Sequence, residues 1–446
     1  MNVFSSLPVA LAVAMLPAPA VHAADAPSPA CLAHAGASLD ALTHGDYVDA
    51  RKDFSAAIAG KLDAARLGQV WEQLQGMRGA YRSHGALQRK VFADRPVVAT
   101  TVDFASGQLG FVAACDAQDR IATYEFVPAH LLASAVVRAH VEADGVRVSP
   151  LDVPTPVGPL RGALTLPAGS GPFPAVVLVA GSGPQDMDET IGPNKPFRDI
   201  AEGLARAGIA TLRYDKRTFD HPGSSGGIVI DTEVTDDAVA AAHLLALQKA
   251  IDPKRVFVLG HSLGAMMAPR IGRRDPQLAG LVLMAAPARN IFEVLEQQVR
   301  EQMARKGASS TAIARAEQAY AKERQSLALV GAGKPMPGGD FVGAPQGYWL
   351  SWSRVDAVAD AKAITLPMLI LQGAGDFQVS PTLDFARWQR ELAGRPHTAF
   401  HLYPGLSHLF MPAGKTGTVA DYKAPEHVDA QVVADIAAWV KAQPAR

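Results

Sequence analysis

The sequence predicts an α/β protein: a mostly parallel eight-stranded sheet with helices on both faces, preceded by a small α+β domain. Three observations predict it. From about residue 146 onward, uninterrupted apolar runs alternate with helical patterns, as expected of strands buried on both faces. Between residues 31 and 130 the order is different, helices first and then three strand-like runs separated by polar turns. And the pentapeptide Gly260-His261-Ser262-Leu263-Gly264 stands directly between the apolar run Val256–Leu259 and a helical pattern.

The first domain is justified by its periods. Residues 24–30 are rich in Ala, Pro and Ser and read as a linker. Leu39, Leu42, Tyr47, Ala50 and Phe54 recur at helical spacing, and Leu67, Val70, Trp71 and Leu74 predict a second helix ending near Gly76. The runs 97–104, 109–115 and 120–127 then predict an antiparallel meander, closing a domain over residues 31–130.

The second domain spans residues 145–446. Its predicted strands are 146–148, 163–166, 175–180, 209–214, 256–259, 281–284, 368–371 and 398–403, with helices such as 197–207 and 236–247 between them. Val428, Val432, Ile436 and Val440 form a closing amphipathic helix. Residues 288–363 are far longer than a crossover needs. With Ile291, Leu295, Val299 and Met303 at four-residue spacing, they read as a helical lid inserted over the sheet edge; a dimerisation arm is the alternative.

Composition bounds the partners. The 446 residues are 48% hydrophobic and 19% charged, enough for two cored domains. A net charge of −1 with no dense basic tract argues against nucleic acid and against anionic surfaces. Val9–Leu16 is an apolar run too short to span a bilayer, and Val21-His22-Ala23 follows as a small-x-small cleavage site. Residues 1–23 therefore read as an export signal, although only the terminal amine supplies its positive charge, and a periplasmic or extracellular location is expected. Cys31 and Cys115 are the two cysteines. Paired, they would stabilise the fold by roughly 4–5 kcal/mol in the chain-entropy picture; two free thiols are equally compatible with the sequence. Neither has metal-site spacing, and no metal or cofactor is expected.

The chemistry centres on Ser262. A serine in a tight turn between strand and helix is presented at the carboxyl edge of the sheet, with the free N–H groups of the helix facing the reacting atoms. Its hydroxyl needs a base, and the base an orienting acid. Both follow along the chain. Leu369–Gly375 is a strand running into a Gly-rich loop, with Asp376 at its mouth as the acid. After the last strand, Tyr403–Ser407 leads to His408, the expected general base. His401 is the rival, but within the strand run its side chain is expected in the packing of the sheet. His261, inside the turn, is expected to point away from the serine. Asp356 and Asp360 precede their strand and so fall at the wrong edge. The oxyanion needs two N–H donors: Leu263, just after the nucleophile, and Ser182 in the loop Gly181-Ser182-Gly183-Pro184, with Gly183 as rival. Read as a phosphate loop, this segment lacks the third glycine and the lysine. Asp186, Asp188 and Glu189 read as solvated or capping acids rather than a cation site. Tyr348, Trp349 and Trp352 either line an acyl pocket or anchor the lid. Gly223–Gly227 reads as a flexible loop near the site mouth.

These residues carry a resemblance. Gly181–Glu189, Arg213-Tyr214-Asp215-Lys216-Arg217, Gly260–Gly264, Gly373–Asp376 with Gln378-Val379, and His408 resemble the lid-bearing serine carboxylesterases of the α/β-hydrolase superfamily that carry a small N-terminal domain. The resemblance covers nearly everything after the signal. Ala180 stands where many members have His, and Met187 where relatives often have Arg. It implies the α/β-hydrolase fold and hydrolysis of small-molecule esters through Ser262, His408 and Asp376. Aminopeptidase or thioesterase chemistry on the same machinery is the alternative, and a ligand-binding protein with an inert hydrolase body is the other. No feature of the sequence fixes an oligomeric state.

Overall fold

The computed structural model describes residues 27–92, 95–105, 107–132, 137–221, 227–305, 307–331 and 345–446. The expected signal, residues 1–23, lies outside these, as does most of the Gly223–Gly227 loop. The chain divides into two compact units, Met1–Ala135 and Val136–Arg446.

The first unit begins with α1 (Pro29–Thr43), α2 (Tyr47–Ala50), α3 (Ala56–Ala59) and α4 (Ala64–Arg78). One helical pattern over 39–54 is thus broken in two. Gly45, at φ +81°, lies just beyond the end of α1, and the Asp46 side chain caps α2 by accepting from Asp49 N–H at 3.2 Å. The strands β1 (Tyr81–His84), β2 (Gln88–Phe92), β3 (Arg95–Phe104), β4 (Gly107–Cys115) and β5 (Ile121–Pro128) form an antiparallel sheet in the order β1-β3-β4-β5, with β2 also on β3. Leu39, Trp71, Phe104, Phe111 and Tyr124 fill its core, the last two rings 4.9 Å apart. Cys31 of α1 and Cys115 of β4 form a disulfide.

The second unit opens with β6 (His140–Val141), β7 (Arg147–Pro150), β8 (Gly162–Leu166) and β9 (Phe173–Val179). It continues with α5 (Pro196–Arg206), β10 (Ala210–Tyr214), α6 (Arg217–Asp220), α7 (Asp236–Ala246), β11 (Ile251–His261), α8 (Leu263–Arg274) and β12 (Gly280–Met284). Four helices follow before the next strand: α9 (Ile291–Arg305), α10 (Ser310–Gly331), α11 (Gln346–Ser353) and α12 (Ala357–Lys362). The chain ends with β13 (Met368–Gly373), α13 (Ala386–Glu391), β14 (Thr398–Tyr403) and α14 (Ala430–Ala442).

The sheet has nine strands rather than eight, in the order β14-β13-β12-β11-β9-β10-β8-β7-β6. The additional strand is the two-residue, exposed β6, too short and too polar to show a period. From β14 to β10 all neighbours are parallel; β8, β7 and β6 are antiparallel. Alternation along the strands feeds two cores. Val177, Val179, Val256 and Val258 face α7 and α8, while Val176, Leu178, Phe257 and Leu259 face α5 and α14. The strand order reverses at β9, which has β11 on one side and β10 on the other. Open α/β sheets bind ligands outside the carboxyl ends of the strands at such a switch point.

Candidate active site

Ser262 follows the last residue of β11 at this edge, and its N–H donates to Met284 O at 2.9 Å. Its backbone is in the left-handed region, φ +51°, ψ −112°, a conformation that a non-glycine residue holds only when its surroundings impose it. The flanking glycines show what imposes it. A Cβ on Gly260 would collide with the Gly264 backbone, and one on Gly264 with the Val179 carbonyl, so strand, turn and helix are in backbone contact. α8 begins at Leu263, whose N–H is one of the helix-start donors without an intrahelical acceptor.

Asp376 and His408 meet. The Asp376 carboxylate accepts from His408 Nδ1 at 2.7 Å, with the two residues 7% and 3% exposed. Accepting at Nδ1–H fixes the tautomer of the neutral ring and leaves Nε2 as its basic nitrogen. The carboxylate is itself held: Gln378 N–H at 2.7 Å and Val379 N–H at 2.9 Å reach one oxygen, and Gln372 Nε2 at 2.9 Å shares the other with the histidine. Gln372 is a part of this arrangement that the sequence pattern did not single out.

The loop after β9 lies against Ser262. A Cβ at Gly181 would stand 3.3 Å from Ser262 Cβ and 2.8 Å from Glu189 Oε1, so only glycine leaves this approach open. Gly181 N–H donates to Glu189 Oε1 at 2.6 Å, and the Ser182 N–H finds no acceptor among the described residues. Ser182 itself is exposed at the mouth of the site.

The His261 ring packs 4.6 Å from that of His408, centre to centre. Its Nδ1 lies 2.9 Å from Glu189 Oε1 and its Nε2 2.9 Å from His408 O. Burial opposes a charge on this imidazole, but Glu189 outweighs it and raises the pKa above the ordinary histidine value. Glu189 thus joins the loop after β9 to the turn after β11, and His261 carries the connection on to the histidine loop. Read from sequence it belonged to a solvated acidic stretch. The structure corrects this: Asp188 is buried against Arg213 at 2.9 Å, Arg198 at 2.5 Å and Lys195 at 3.2 Å, and Asp186 accepts from Thr190. Burial alone would push the Asp188 carboxyl up; the three cations hold it below the usual range. Next to it, burial pushes Asp215 up to about 8, against the pull of Arg161 at 2.9 Å.

His401 is corrected as well. It is not in the packing of the sheet but half exposed on β14, 3.4 Å from Asp435, because β14 is the edge strand. Asp356 caps α12 through Ala359 N–H at 3.0 Å, and Asp360 pairs with Arg273. Of the aromatic residues in α11, Tyr348 is buried and donates its hydroxyl to Glu233 at 2.5 Å, and burial drives its pKa well up. Trp352 stacks on Trp349 with ring centres 5.4 Å apart and directs its Nε1 to Met266 Sδ at 3.5 Å. Met266 lies one turn beyond Ser262, its N–H donating to Ser262 O at 2.9 Å. No group of acids, histidines and cysteines able to hold a metal occurs among the described residues.

A sheet of this order, with a left-handed serine after β11 and a paired acid and histidine after β13 and β14, is the architecture of an α/β-hydrolase. The family model described as "Serine aminopeptidase, S33" matches residues 194–412. Esterase EstD of Thermotoga maritima is 34% identical over 400 residues, covering 90% of this chain and 92% of that protein. Among solved structures, Est1E from Butyrivibrio proteoclasticus aligns at TM-score 0.43 and 12% identity, over 66% of this chain and 99% of its own. The esterase domain of a Rhodothermus marinus protein aligns at TM-score 0.41 and 15% identity, over 66% and 98%. The chain belongs to the esterase family of α/β-hydrolases that includes EstD, with an additional N-terminal unit.

Proposed function

We propose that the protein hydrolyses carboxylic esters through Ser262, His408 and Asp376. Ser262 Oγ attacks the ester carbonyl while His408 Nε2 takes its proton, and Asp376 stabilises the imidazolium that forms. The Ser182 and Leu263 N–H groups receive the tetrahedral oxyanion. His408 then gives its proton to the departing alcohol, and the acyl-enzyme is cleared by a water that the same ring deprotonates. The helices between β12 and β13 act as a lid, with Trp349 and Trp352 lining the acyl side. The observation that carries the reading is the buried 2.7 Å Asp376–His408 hydrogen bond at the strand edge where Ser262 stands. The likeness to EstD along nearly the whole chain supports the ester as substrate class. Short-chain nitrophenyl esters test it: Ser262→Ala should lower turnover by about 10⁴–10⁶, and comparable rates in both proteins reject the assignment.

A second reading is favoured by the description of the matching family, a serine aminopeptidase. The same groups would then cleave an amide. Aminoacyl anilides and thioesters, assayed beside the nitrophenyl esters, distinguish the activities; kcat/KM highest on the anilide would replace the ester reading.

We also propose that residues 1–23 direct export, supported by their apolar run and by the Cys31–Cys115 disulfide, a bond that persists in oxidising compartments. Edman sequencing of the protein from cells tests this, and an intact Met1 on the mature protein would reject it.

A further inference from the structure

Among the buried ion pairs that the acid-base machinery leaves unused, Lys216–Glu233 stands beside the loop after β9. Lys216, from the Arg-Tyr-Asp-Lys-Arg segment after β10, is 3% exposed. Its Nζ donates to Gly181 O at 3.0 Å and lies 3.2 Å from Glu233 Oε1. That oxygen also accepts from the Thr218 hydroxyl at 2.8 Å, and the second oxygen of Glu233 accepts from Tyr348 of α11 at 2.5 Å. The backbone is stitched at the same place. Lys216 N–H donates to Gln185 O at 3.0 Å, and Asp215 accepts from Met187 N–H at 2.6 Å. An ammonium out of water carries a desolvation cost that a surface lysine avoids. Its placement therefore calls for a reason in the groups it touches.

Gly181 O is no ordinary carbonyl. It belongs to the planar trans amide whose other end is the Ser182 N–H. The C=O and N–H bonds of such an amide point in opposite directions and their dipoles add, so a cation held on the oxygen fixes the direction of the N–H. It also polarises the amide and makes the N–H a stronger donor. We propose that Lys216 is a positioning residue for ester hydrolysis: by gripping Gly181 O it aims and strengthens the Ser182 N–H toward the tetrahedral oxyanion. Tyr348, through Glu233, holds the lysine in place and so ties the inserted helices to the oxyanion loop. The inference rests on the reading of Ser182 as an oxyanion donor.

The test compares wild type, Ser262→Ala, Lys216→Met and the charge-balanced double variant Lys216→Met/Glu233→Gln. The measurements are nitrophenyl butyrate kinetics, thermal melting, and affinity for an alkyl boronic acid, which forms an anionic tetrahedral adduct on the serine. Turnover of Lys216→Met should fall by about 10- to 100-fold, less than the loss of a whole donor, with boronate affinity falling by a similar factor. KM should stay within about twofold, the signature of an interaction made only in the transition state. The double variant should melt near wild type and share the loss; it decides the matter if the single variant does not fold. A folded variant with wild-type turnover and boronate affinity overturns the proposal, as does a rise in KM alone. If Ser262→Ala remains as active as wild type, the triad reading itself has failed. If it is inactive while both lysine variants are unaffected, only the role of Lys216 has failed.

Discussion

At the residue scale, Asp376 is held on both of its carboxylate oxygens. Asp376 accepts four hydrogen bonds, so removing its charge need not move it. Asp376→Asn should retain the fold and lose about 10⁴ in turnover, because an amide donating to His408 Nδ1 selects the wrong tautomer; steady-state kinetics with a melting control checks this. His261 makes a prediction of the opposite kind, on stability. Glu189 raises its pKa, so the folded protein holds this proton to higher pH than the unfolded chain. The stability so contributed is complete below the unfolded value, about 6.5, and is lost as pH rises through the folded one. Glu189→Gln should therefore flatten the fall of the urea midpoint above about pH 6.5, and an unchanged slope would count against the pairing. The meeting of Asp376 with His408 was legible because each sits in a local pattern, an apolar strand running into a turn. Glu189 and Lys216 were not. Their partners lie 72 and 35 positions away, and a residue name says nothing about which distant carbonyl or ring it will reach.

At the scale of elements, the nucleophile turn is a three-way backbone contact among β9, the turn after β11 and α8. Gly264→Ala must force the Val179 carbonyl aside. Overpacking of this kind costs about 1–3 kcal/mol, and here it also displaces the Leu263 N–H. Urea unfolding and nitrophenyl ester turnover should both report the change. The long apolar strands and the amphipathic helices were readable from their periods, since burial on two faces leaves no polar positions. β1 and β2 were missed because Tyr81-Arg82-Ser83-His84 and Gln88-Arg89-Lys90 are polar and solvated. His401 was misjudged for a related reason. A strand run in sequence carries no mark of standing at the edge of its sheet.

At the scale of the whole molecule, the two cysteines lie in the first unit, and their bond spans 84 positions without leaving it. Reduction should weaken that unit by roughly 4–5 kcal/mol and leave the hydrolytic turnover of the second in place. Calorimetry with and without reductant, with an ester assay alongside, tests this; equal loss in both units would contradict it. The units divide at residues 135/136, ahead of the change of period near residue 146, and the pairing of Cys31 with Cys115 was not visible in the sequence, because it depends on where α1 lands against β4. The inserted helices leave the sheet after β12 and rejoin it at β13, two strands already paired in parallel with each other. The proposed triad and oxyanion donors stand at other strand ends, with Tyr348 reaching toward them from this segment. Evolution can therefore lengthen, shorten or exchange this segment without disturbing the sheet, much as a tool holder accepts a new bit. Diversity of acyl preference among related chains should accordingly concentrate here, while the cutting edge stays the same.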